Sequence, residues 1–380
     1  MEKLFYQDQE IKEFTATVTG CDQSENGWEV TLDATAFYPT GGGQACDLGM
    51  LGNAHVLDVS ERGEEILHLC DGPLEVGKTV TGKIDWARRF DLMQQHTGEH
   101  IVSGIIHRLY GHQNSGFHVG EELMEVDFDG PLPEGALEEI QRLANEAVWA
   151  DLPVNCYVPS PEELPGVVYR TKRALPWPVR IVEIPGIDSC ACCGIHTKRT
   201  AQVGLIYIFS CVKFHQGVRL EMACGKRALE RLHKLCLQNK QVSQILSASP
   251  LETGAAAQQL KDSLAGEKYR AAGLESRIFD KIAEGFAGQK TAFCFEEGLE
   301  PAGVRQLAEK LAKVANLAGV FSQKDGKYNL CLAGSPEAVK GLGTILSQTL
   351  GARGGGKPGF WQGSVTATKE ELEALLPIDG

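Results

Sequence analysis

The sequence lacks three features that would place it in a large class of proteins. No stretch of its 380 residues approaches the roughly 20 apolar residues that a membrane-spanning helix needs. The amino terminus, MEKLFYQDQEIKEF, has no apolar signal core, so we expect a cytoplasmic protein without a membrane partner. Its twelve cysteines do not follow the spacing of a small disulfide scaffold, and we expect them to be reduced thiols.

Fingerprints of nucleotide binding are missing as well. The segment TAFYPTGGGQACDLG contains three consecutive glycines, Gly41, Gly42 and Gly43, but their spacing matches neither a Walker motif nor a dinucleotide-binding motif. Such glycines can expose backbone N–H groups or admit a close ligand, and they are equally typical of a tight hairpin. Both interpretations stay open at this point.

Positive charge is scarce overall but concentrated in one segment. The formal net charge is −13, which argues against a surface that binds nucleic acids everywhere. Between residues 196 and 240, however, nine Lys and Arg residues stand against only two acidic residues. A solvated helix face explains such a run, and so does a surface that binds a polyanion.

The chain is expected to contain several domains, because 380 residues exceed what one hydrophobic core usually supports. The order of its helix and strand patterns predicts an α+β fold class. Residues 1–85 alternate short strand patterns with turns and predict a small β-barrel or sandwich that includes the glycine motif. Residues 86–225 mix helix and strand patterns and predict a two-layer α/β domain. Residues 226–285 predict a helical connector, and residues 286–380 predict a small α/β domain.

Two segments are more specific. Residues 86–110 contain no proline, their apolar residues recur at helical spacing, and Gly111 follows, which predicts one long helix. Near the carboxyl terminus, GARGGGKPGFWQG predicts a glycine-rich loop with Arg353, Lys357 and two aromatic residues. This composition suits contacts with phosphates and bases, and it equally suits an ordinary loop.

Two pairs of potential metal ligands dominate the sequence. His96 and His100 in QHTGEH are four residues apart on the predicted helix, so both imidazoles lie on one face and can bind one ion. Cys192 and His196 in CCGIH form a second pair with the same spacing. Cys and His are the residue types that zinc takes, so together the pairs predict a zinc site. Cys190 and Cys193 remain alternatives to Cys192.

These motifs together resemble a known family. QHTGEH, CCGIH, FYPTGGGQACDLG and GVRLEMACGKRA are similar to the editing region of alanyl-tRNA synthetases and to the free-standing AlaX trans-editing proteins. The segment GARGGGKP is similar to the DHH-associated domain that follows this region in the synthetases. The resemblance covers nearly the whole chain, with the motifs in the same order.

The resemblance implies a deacylase. Such an enzyme hydrolyses the ester that joins a wrong amino acid, chiefly serine and sometimes glycine, to the tRNA for alanine. The resemblance also implies Zn²⁺ at His96, His100, Cys192 and His196, and a substrate pocket shaped by the glycine motif with Gln44. No segment resembles an ATP-using catalytic domain, so we expect no charging of tRNA.

One position that bears on substrate selection departs from the family pattern. Synthetase editing sites usually carry Thr just before the second histidine of the first pair, where this chain has Glu99. Glu99 is a candidate general base, or a solvated carboxylate. Because alanine is smaller than serine, a pocket must distinguish them by hydrogen bonding to the serine hydroxyl, and Thr35, Gln44 and Thr97 are candidates.

The role of the zinc is also open. Four protein ligands are typical of a structural site, since catalytic zinc usually keeps one position free. Our hypothesis is that a ligand yields or the shell expands, so that the ion orients the amino acid or a water. Asp188 or Glu183 is expected to hold one of the imidazoles from behind.

The partner implied is mischarged tRNA, and the residues expected to contact it are Lys198, Arg199, Lys213, Arg219, Lys226, Arg353 and Lys357. Apolar helices after residue 225 make a homodimer an expectation. A non-catalytic tRNA-binding module with structural zinc and a zinc hydrolase of another ester remain alternatives. A DHH-type phosphoesterase is disfavoured, since its Asp-His-His motif is missing.

Overall fold

A computed structural model describes residues 1–171, 175–324 and 326–377, and the chain folds as two compact units, Met1–Lys240 and Gln241–Gly380. Helices and sheets are mixed in both, as expected for an α+β multidomain chain. Among the described helices, none is long and apolar enough to cross a membrane. All twelve cysteines are free thiols, as predicted.

The first unit contains most of the strands. Its strands are β1 (Glu2–Lys3), β2 (Glu13–Ser24), β3 (Gly27–Leu32), β4 (Ala34–Thr35), β5 (Gly49–Leu51), β6 (Ala54–Arg62), β7 (Glu65–Cys70), β8 (Thr79–Ile84), β9 (Asn114–Val119), β10 (Met124–Phe128), β11 (Asn155–Tyr157), β12 (Ile181–Ile184), β13 (Asp188–Ala191), β14 (Ile206–Phe214) and β15 (Gly217–Cys224). Its helices are α1 (Leu4–Gln7), α2 (Trp86–Tyr110) and α3 (Ala136–Trp149), and α4 (Gly225–Leu246) continues past residue 240.

Six strands near the amino terminus form a closed sheet in the order β2, β3, β7, β6, β5, β8, and β8 pairs back onto β2. Alternate side chains of β2, such as Phe14, Ala16 and Val18, are buried inside it. This alternation is the pattern that predicted strands in this region.

A second core lies between helices α2 and α3 and an antiparallel sheet in the order β14, β15, β10, β9. Ile101 and Ile105 of α2 meet Ile140 of α3 and Leu220 of β15 in this core. Helix α2 has the predicted bounds, because the Asp85 side chain caps its first turn and the left-handed Gly111 ends it. A three-stranded sheet, β11, β12, β13, completes the unit.

The second unit contains α5 (Thr253–Glu284), β16 (Thr291–Glu297), α6 (Pro301–Leu311), β17 (Leu317–Lys324), β18 (Lys327–Gly334), α7 (Pro336–Leu350), β19 (Arg353–Gly355), β20 (Phe360–Val365) and α8 (Lys369–Glu373). Its sheet has the order β16, β17, β18, β20, β19, with β16 parallel to β17. The predicted helical segment corresponds to α4 and α5, which flank Pro250.

The prediction of a loop at GARGGGKPGFWQG was wrong in part. Residues 353–355 and 360–365 form the paired strands β19 and β20. Glycine is needed here because a Cβ on Gly354 would lie 2.7 Å from Gly363 Cα and 2.7 Å from the Trp361 ring. The glycines therefore let two backbones approach beside an indole, which a sequence pattern cannot distinguish from a flexible loop.

Candidate metal centre and its cavity

Helix α2 carries His96 and His100 one turn apart. Both are buried, together with every other residue from position 92 to 106, so this helix is enclosed rather than lying on the surface. Gly98 permits a close approach to β15, because a Cβ at that position would collide with the Cys224 thiol. The two imidazoles are thus held on a rigid element.

Cys192 and His196 lie on a loop after β13, and side chains from other segments hold this loop in place. Arg180 Nη1 donates to the carbonyl oxygens of Cys192 at 2.9 Å and Gly194 at 2.7 Å. The same guanidinium lies 4.8 Å from the centre of the Tyr6 ring, and the Tyr6 hydroxyl donates to the Cys193 carbonyl at 2.7 Å. These contacts fix the backbone of the CCGIH loop.

The four predicted ligands meet at one point. One ligand atom from each of His96, His100, Cys192 and His196 lies within 4.8 Å of the others. Cys192 Sγ is 3.4 Å from His96 Nε2 and 3.5 Å from His196 Nε2. A thiolate and three imidazoles at this spacing can hold a metal ion.

Each histidine is oriented by a partner at its other ring nitrogen. The Nδ1 atoms contact Gln44 Oε1 for His96 (2.9 Å), Asp188 Oδ2 for His100 (3.0 Å) and Thr97 Oγ1 for His196 (3.4 Å). Nδ1 donating to an oxygen leaves Nε2 as the ligand atom, which is the usual arrangement behind metal-binding histidines. Of the two carboxylates expected in this role, Asp188 makes the contact.

The surroundings of the site favour a negative charge on the Cys192 sulfur. Burial acts to raise the pKa of Cys192, but the imidazole of His96 and those of the other two histidines outweigh it, and the pKa lies well below its usual range. Burial and the neighbouring His96 lower the pKa of His196. Burial opposes protonation of His100, yet hydrogen bonds to Asp188 and Cys192 raise its pKa well above the usual value. The sulfur is therefore a thiolate.

The glycine motif is clamped against α2. The guanidinium of Arg89, which is fully buried, pairs with Asp47 and donates to the Ala36 carbonyl. Gly42 and Gly43 have φ angles of 59° and 81°, in the left-handed region, so a side chain at either position would be strained. The clamp brings this turn next to the metal-ligand candidates.

A cavity of about 310 Å³ opens beside the four ligands. Its described lining is Gly42, His96, Glu99, His100, Gln113, Asn114, Phe117, Arg170, Thr171, Leu175, Cys190, Ala191, Cys192 and Cys193. Three of the four ligand candidates thus face a space that a small group can enter. No sequence motif marks Asn114, Phe117 or Arg170 as cavity residues.

Glu99 is not the solvated carboxylate that the sequence left open. It is only 5% exposed and lines the cavity. The Ser103 hydroxyl donates to Glu99 Oε1, and Asn114 Nδ2 donates to the same atom at 2.5 Å. Its other oxygen, Oε2, lies 3.9 Å from His100 Nε2. Glu99 therefore faces the metal centre.

Five of the seven predicted pocket residues do not line the described cavity, and the hydroxyls of two of these, Thr35 and Thr97, are occupied elsewhere. The Thr35 hydroxyl is buried in the closed sheet, 2.8 Å from His68 Nε2. The Thr97 hydroxyl is fully buried and accepts from Thr197 N–H at 3.0 Å, behind the imidazole of His196. Both hydroxyls are occupied by the protein itself, which residue spacing could not reveal.

The remaining pocket candidates are adjacent to the cavity. Gly41 pairs with Gln44 in a tight turn, and Gly43 packs on the ring of Phe117. Gln44 binds His96, and its Nε2 is buried without a hydrogen-bond partner among the described residues. The glycine motif thus supports one wall of the cavity.

Most basic residues predicted to contact tRNA are paired with acids. Lys198 contacts Asp8 and Glu10, Arg199 contacts Asp151, Arg219 contacts Glu125 and Asp127, and Lys226 contacts Glu230. The positive run seen in the sequence is therefore partly neutralised on the surface. Lys213 is exposed, Arg353 is exposed on β19, and Lys357 borders a hollow beside Phe360.

Comparison with known proteins finds two family models that match parts of the chain. A family model for tRNA synthetases class II (A) matches residues 2–88, which contain the glycine motif. A model for the threonyl and alanyl tRNA synthetase second additional domain matches residues 179–219, which contain Cys192 and His196. Both matches point to relatives of the alanyl-tRNA synthetases.

Individual proteins of similar sequence include alanyl-tRNA editing proteins. The chain is 29% identical to alanyl-tRNA editing protein Aarsd1-A of Xenopus laevis, covering 94% of this chain and 90% of that protein. It is 28% identical to Aarsd1 of Mus musculus, covering 99% and 97%. The predicted resemblance is confirmed: over nearly its whole length the chain is similar to alanyl-tRNA editing proteins.

Longer relatives contain further segments. The chain is 31% identical to the alanine–tRNA ligase of Thermofilum pendens, covering 98% of this chain and 43% of that protein. A solved structure, the C-Ala domain from Aquifex aeolicus alanyl-tRNA synthetase, matches 22% of this chain and 85% of that domain at 24% identity, with a TM-score of 0.21.

Proposed function

We propose that this chain is a zinc-dependent aminoacyl-tRNA deacylase that acts in trans on tRNA for alanine charged with serine or glycine. One observation carries the proposal: three of the four metal-ligand candidates form the wall of a cavity of about 310 Å³. A purely structural metal needs no such cavity. The relatives named alanyl-tRNA editing proteins support the choice of substrate.

Zinc fits the donor set. One thiolate and three imidazoles are preferred zinc ligands, and each imidazole has an oxygen partner at Nδ1. When bound, zinc supplies Lewis-acid polarisation of the ester carbonyl. Calcium and magnesium, which prefer oxygen ligands, do not suit this set.

The protein supplies the proton transfers. Hydrolysis needs a water that loses a proton as it attacks the ester carbon, and a proton for the ribose oxygen that leaves. Glu99 Oε2 faces the cavity 3.9 Å from His100 Nε2, so this carboxylate is placed to take the first proton and return it to the leaving oxygen. Its Oε1 is held by Ser103 and Asn114, which fixes the carboxylate plane.

Contacts with tRNA are proposed at the exposed basic residues. Lys213, Arg353 and Lys357 are better placed for phosphates than Lys198 or Arg199, because the latter two are already paired with acids. Phosphate contacts make affinity fall with rising salt.

The decisive experiment compares adjacent cysteines. Zinc-loaded protein is incubated with Ser-, Gly- and Ala-charged tRNA for alanine, beside Cys192→Ala and Cys193→Ala variants. We expect hydrolysis of Ser- or Gly-tRNA, sparing of Ala-tRNA, loss of activity and zinc in Cys192→Ala, and retention of zinc in Cys193→Ala. The exposed Cys193 is the matched control, since it is the adjacent cysteine and does not belong to the ligand group.

The four protein ligands favour a second candidate, a tRNA-binding module with structural zinc, because four ligands complete a tetrahedral shell. Tight tRNA binding with no hydrolysis of any charged tRNA would select this module. Hydrolysis of another aminoacyl ester, with tRNA for alanine untouched, would identify a related hydrolase.

A further inference from the structure

Asn114 lies beside the cavity and has an unpaired acceptor. The residue lines the cavity and is only 7% exposed. Its Oδ1 is buried and has no hydrogen-bond partner in the described part of the chain. A buried amide oxygen without a partner costs free energy, so such an atom in a cavity indicates a ligand that donates to it.

A bulge aims this side chain. Strand β9 pairs regularly with β10 from Val119 to Gly116, and the register then shifts so that Asn114 rather than Ser115 lies opposite Phe128. In an unshifted strand, Ser115 would share a face with Phe117, which lines the cavity. The bulge therefore replaces the Ser115 hydroxyl at the cavity with the Asn114 amide.

Glu99 fixes the orientation of the amide. Asn114 Nδ2 donates to Glu99 Oε1 at 2.5 Å, and the Ser103 hydroxyl donates to the same oxygen. Rotating the amide by half a turn would place two oxygen acceptors together, so Oδ1 is the atom of this cavity-lining residue that lacks a partner among the described residues.

We infer that Asn114 is a specificity-determining residue whose Oδ1 accepts a hydrogen bond from the side-chain hydroxyl of the aminoacyl group. This inference rests on the proposed deacylase function. A pocket that selects serine over the smaller alanine must leave a polar group unpaired when alanine enters, and Asn114 Oδ1 meets that requirement. The hydroxyls of Thr35 and Thr97 are occupied elsewhere and do not.

The hydroxyl and the ammonium of the aminoacyl group are both hydrogen-bond donors. The glycyl ester distinguishes their contributions, because it has the ammonium but no hydroxyl. Seryl, glycyl and alanyl esters share the ammonium, whereas the seryl ester alone carries the hydroxyl. An acceptor for the ammonium therefore affects all three esters equally, while an acceptor for the hydroxyl affects the seryl ester.

The test uses the full chain with zinc and measures kcat/KM on Ser- and Gly-charged tRNA for alanine. Asn114→Leu keeps the side-chain volume without an acceptor, and Asn114→Ala is the second variant in case leucine disturbs folding. Gln113→Met is the matched control, since Gln113 lies on the same wall but its Nε2 is bonded to His107 Nδ1 at 3.0 Å. Zinc content and thermal unfolding establish that each variant is folded.

We expect the Asn114 variants to lower kcat/KM for Ser-tRNA about 10- to 100-fold more than for Gly-tRNA, the range for leaving a buried hydroxyl unpaired. Loss of the Nδ2 bond to Glu99 lowers both values alike, so the ratio of the two substrates is the readout. Gln113→Met should leave the ratio of the two substrates unchanged. Equal losses on both substrates, or no loss on either, would overturn the inference while the deacylase function stands. An unmodified protein that hydrolyses neither substrate would overturn both.

Discussion

His68 is buried as a neutral imidazole inside the closed sheet. Its Nδ1 lies 3.1 Å from the Val30 carbonyl and must donate to it, so Nε2 accepts from the Thr35 hydroxyl at 2.8 Å. Burial, partly offset by the Val30 hydrogen bond, lowers the pKa of His68 from 6.5 to about 4. Protonation would put a charge where no water can solvate it.

This shift predicts acid sensitivity. Because the folded-state pKa is the lower one, the unfolded chain binds a proton first, and stability present above pH 6.5 is lost as pH falls towards 4. The loss amounts to about 3 kcal/mol and then levels off. Urea unfolding between pH 7.5 and 4 should show a steeper loss for the native chain than for His68→Gln. Parallel curves would contradict the assignment.

Asp188 is predicted to tune metal affinity. It accepts from His100 Nδ1 and forms a two-point ion pair with Arg170. Burial opposes ionisation of Asp188, but His100 and Arg170 lower its pKa, so it is a carboxylate. Asp188→Asn removes that charge and should weaken zinc binding by about 10- to 100-fold.

Competition with a zinc-binding dye measures this change. Glu183→Gln is the control, since Glu183 is on the neighbouring strand and has no described contact with a metal-ligand candidate. An equal loss of affinity in both variants would show a general charge effect and not the specific contact to His100.

At the scale of an element, glycine makes α2 fit its surroundings. A Cβ on Gly104 would lie 2.6 Å from Asp188 Cβ and would meet the Ile187 carbonyl. Gly104→Ala should therefore lower stability by about 1–3 kcal/mol through overpacking, although alanine is the better helix former. It should also weaken zinc binding, because the helix shifts away from Asp188.

The exposed Gly266 in the interior of α5 is the matched control. A Cβ there meets nothing within 4 Å, so Gly266→Ala should stabilise its helix by up to about 1 kcal/mol. Thermal unfolding of the two variants should shift in opposite directions. A shift in the same direction would mean that helix propensity, not contact, governs Gly104.

Elements were more predictable than their contacts. Helix α2 followed from spacing and from Gly111, since local sequence sets a helix and its end. The four ligand candidates followed from their paired spacing. The bulge that turns Asn114 inward left no signal, because register depends on the partner strand. The hydrogen-bond partners of the Thr35 and Thr97 hydroxyls could not be predicted either, because these partners are distant in sequence.

At the scale of the whole molecule, all four ligand candidates belong to the unit Met1–Lys240. Removing the metal should therefore destabilise this unit and leave Gln241–Gly380 unchanged. Calorimetry with and without a chelator should show one transition moving to lower temperature and another staying fixed. Free metal at 100 times its Kd would contribute about 2.7 kcal/mol.

Cys192→Ala supplies the control for this prediction, because its unfolding should no longer respond to the chelator. If both transitions moved together, or neither moved, the metal would not be a component of the first unit alone. The pairing of surface charges also depends on the whole fold. The sequence shows a run of basic residues, but only the folded chain shows that members of this run pair with distant acids such as Asp8 and Asp151.

The anchored CCGIH loop also has a consequence for kinetics. His96 and His100 stand on a buried helix, and Cys192 and His196 stand on this loop, so opening of the loop would separate the two pairs. Opening must break both hydrogen bonds from Arg180 and the one from the Tyr6 hydroxyl to the Cys193 carbonyl. Loss of an ion by this route would therefore require breaking these loop contacts in addition to the ligand bonds.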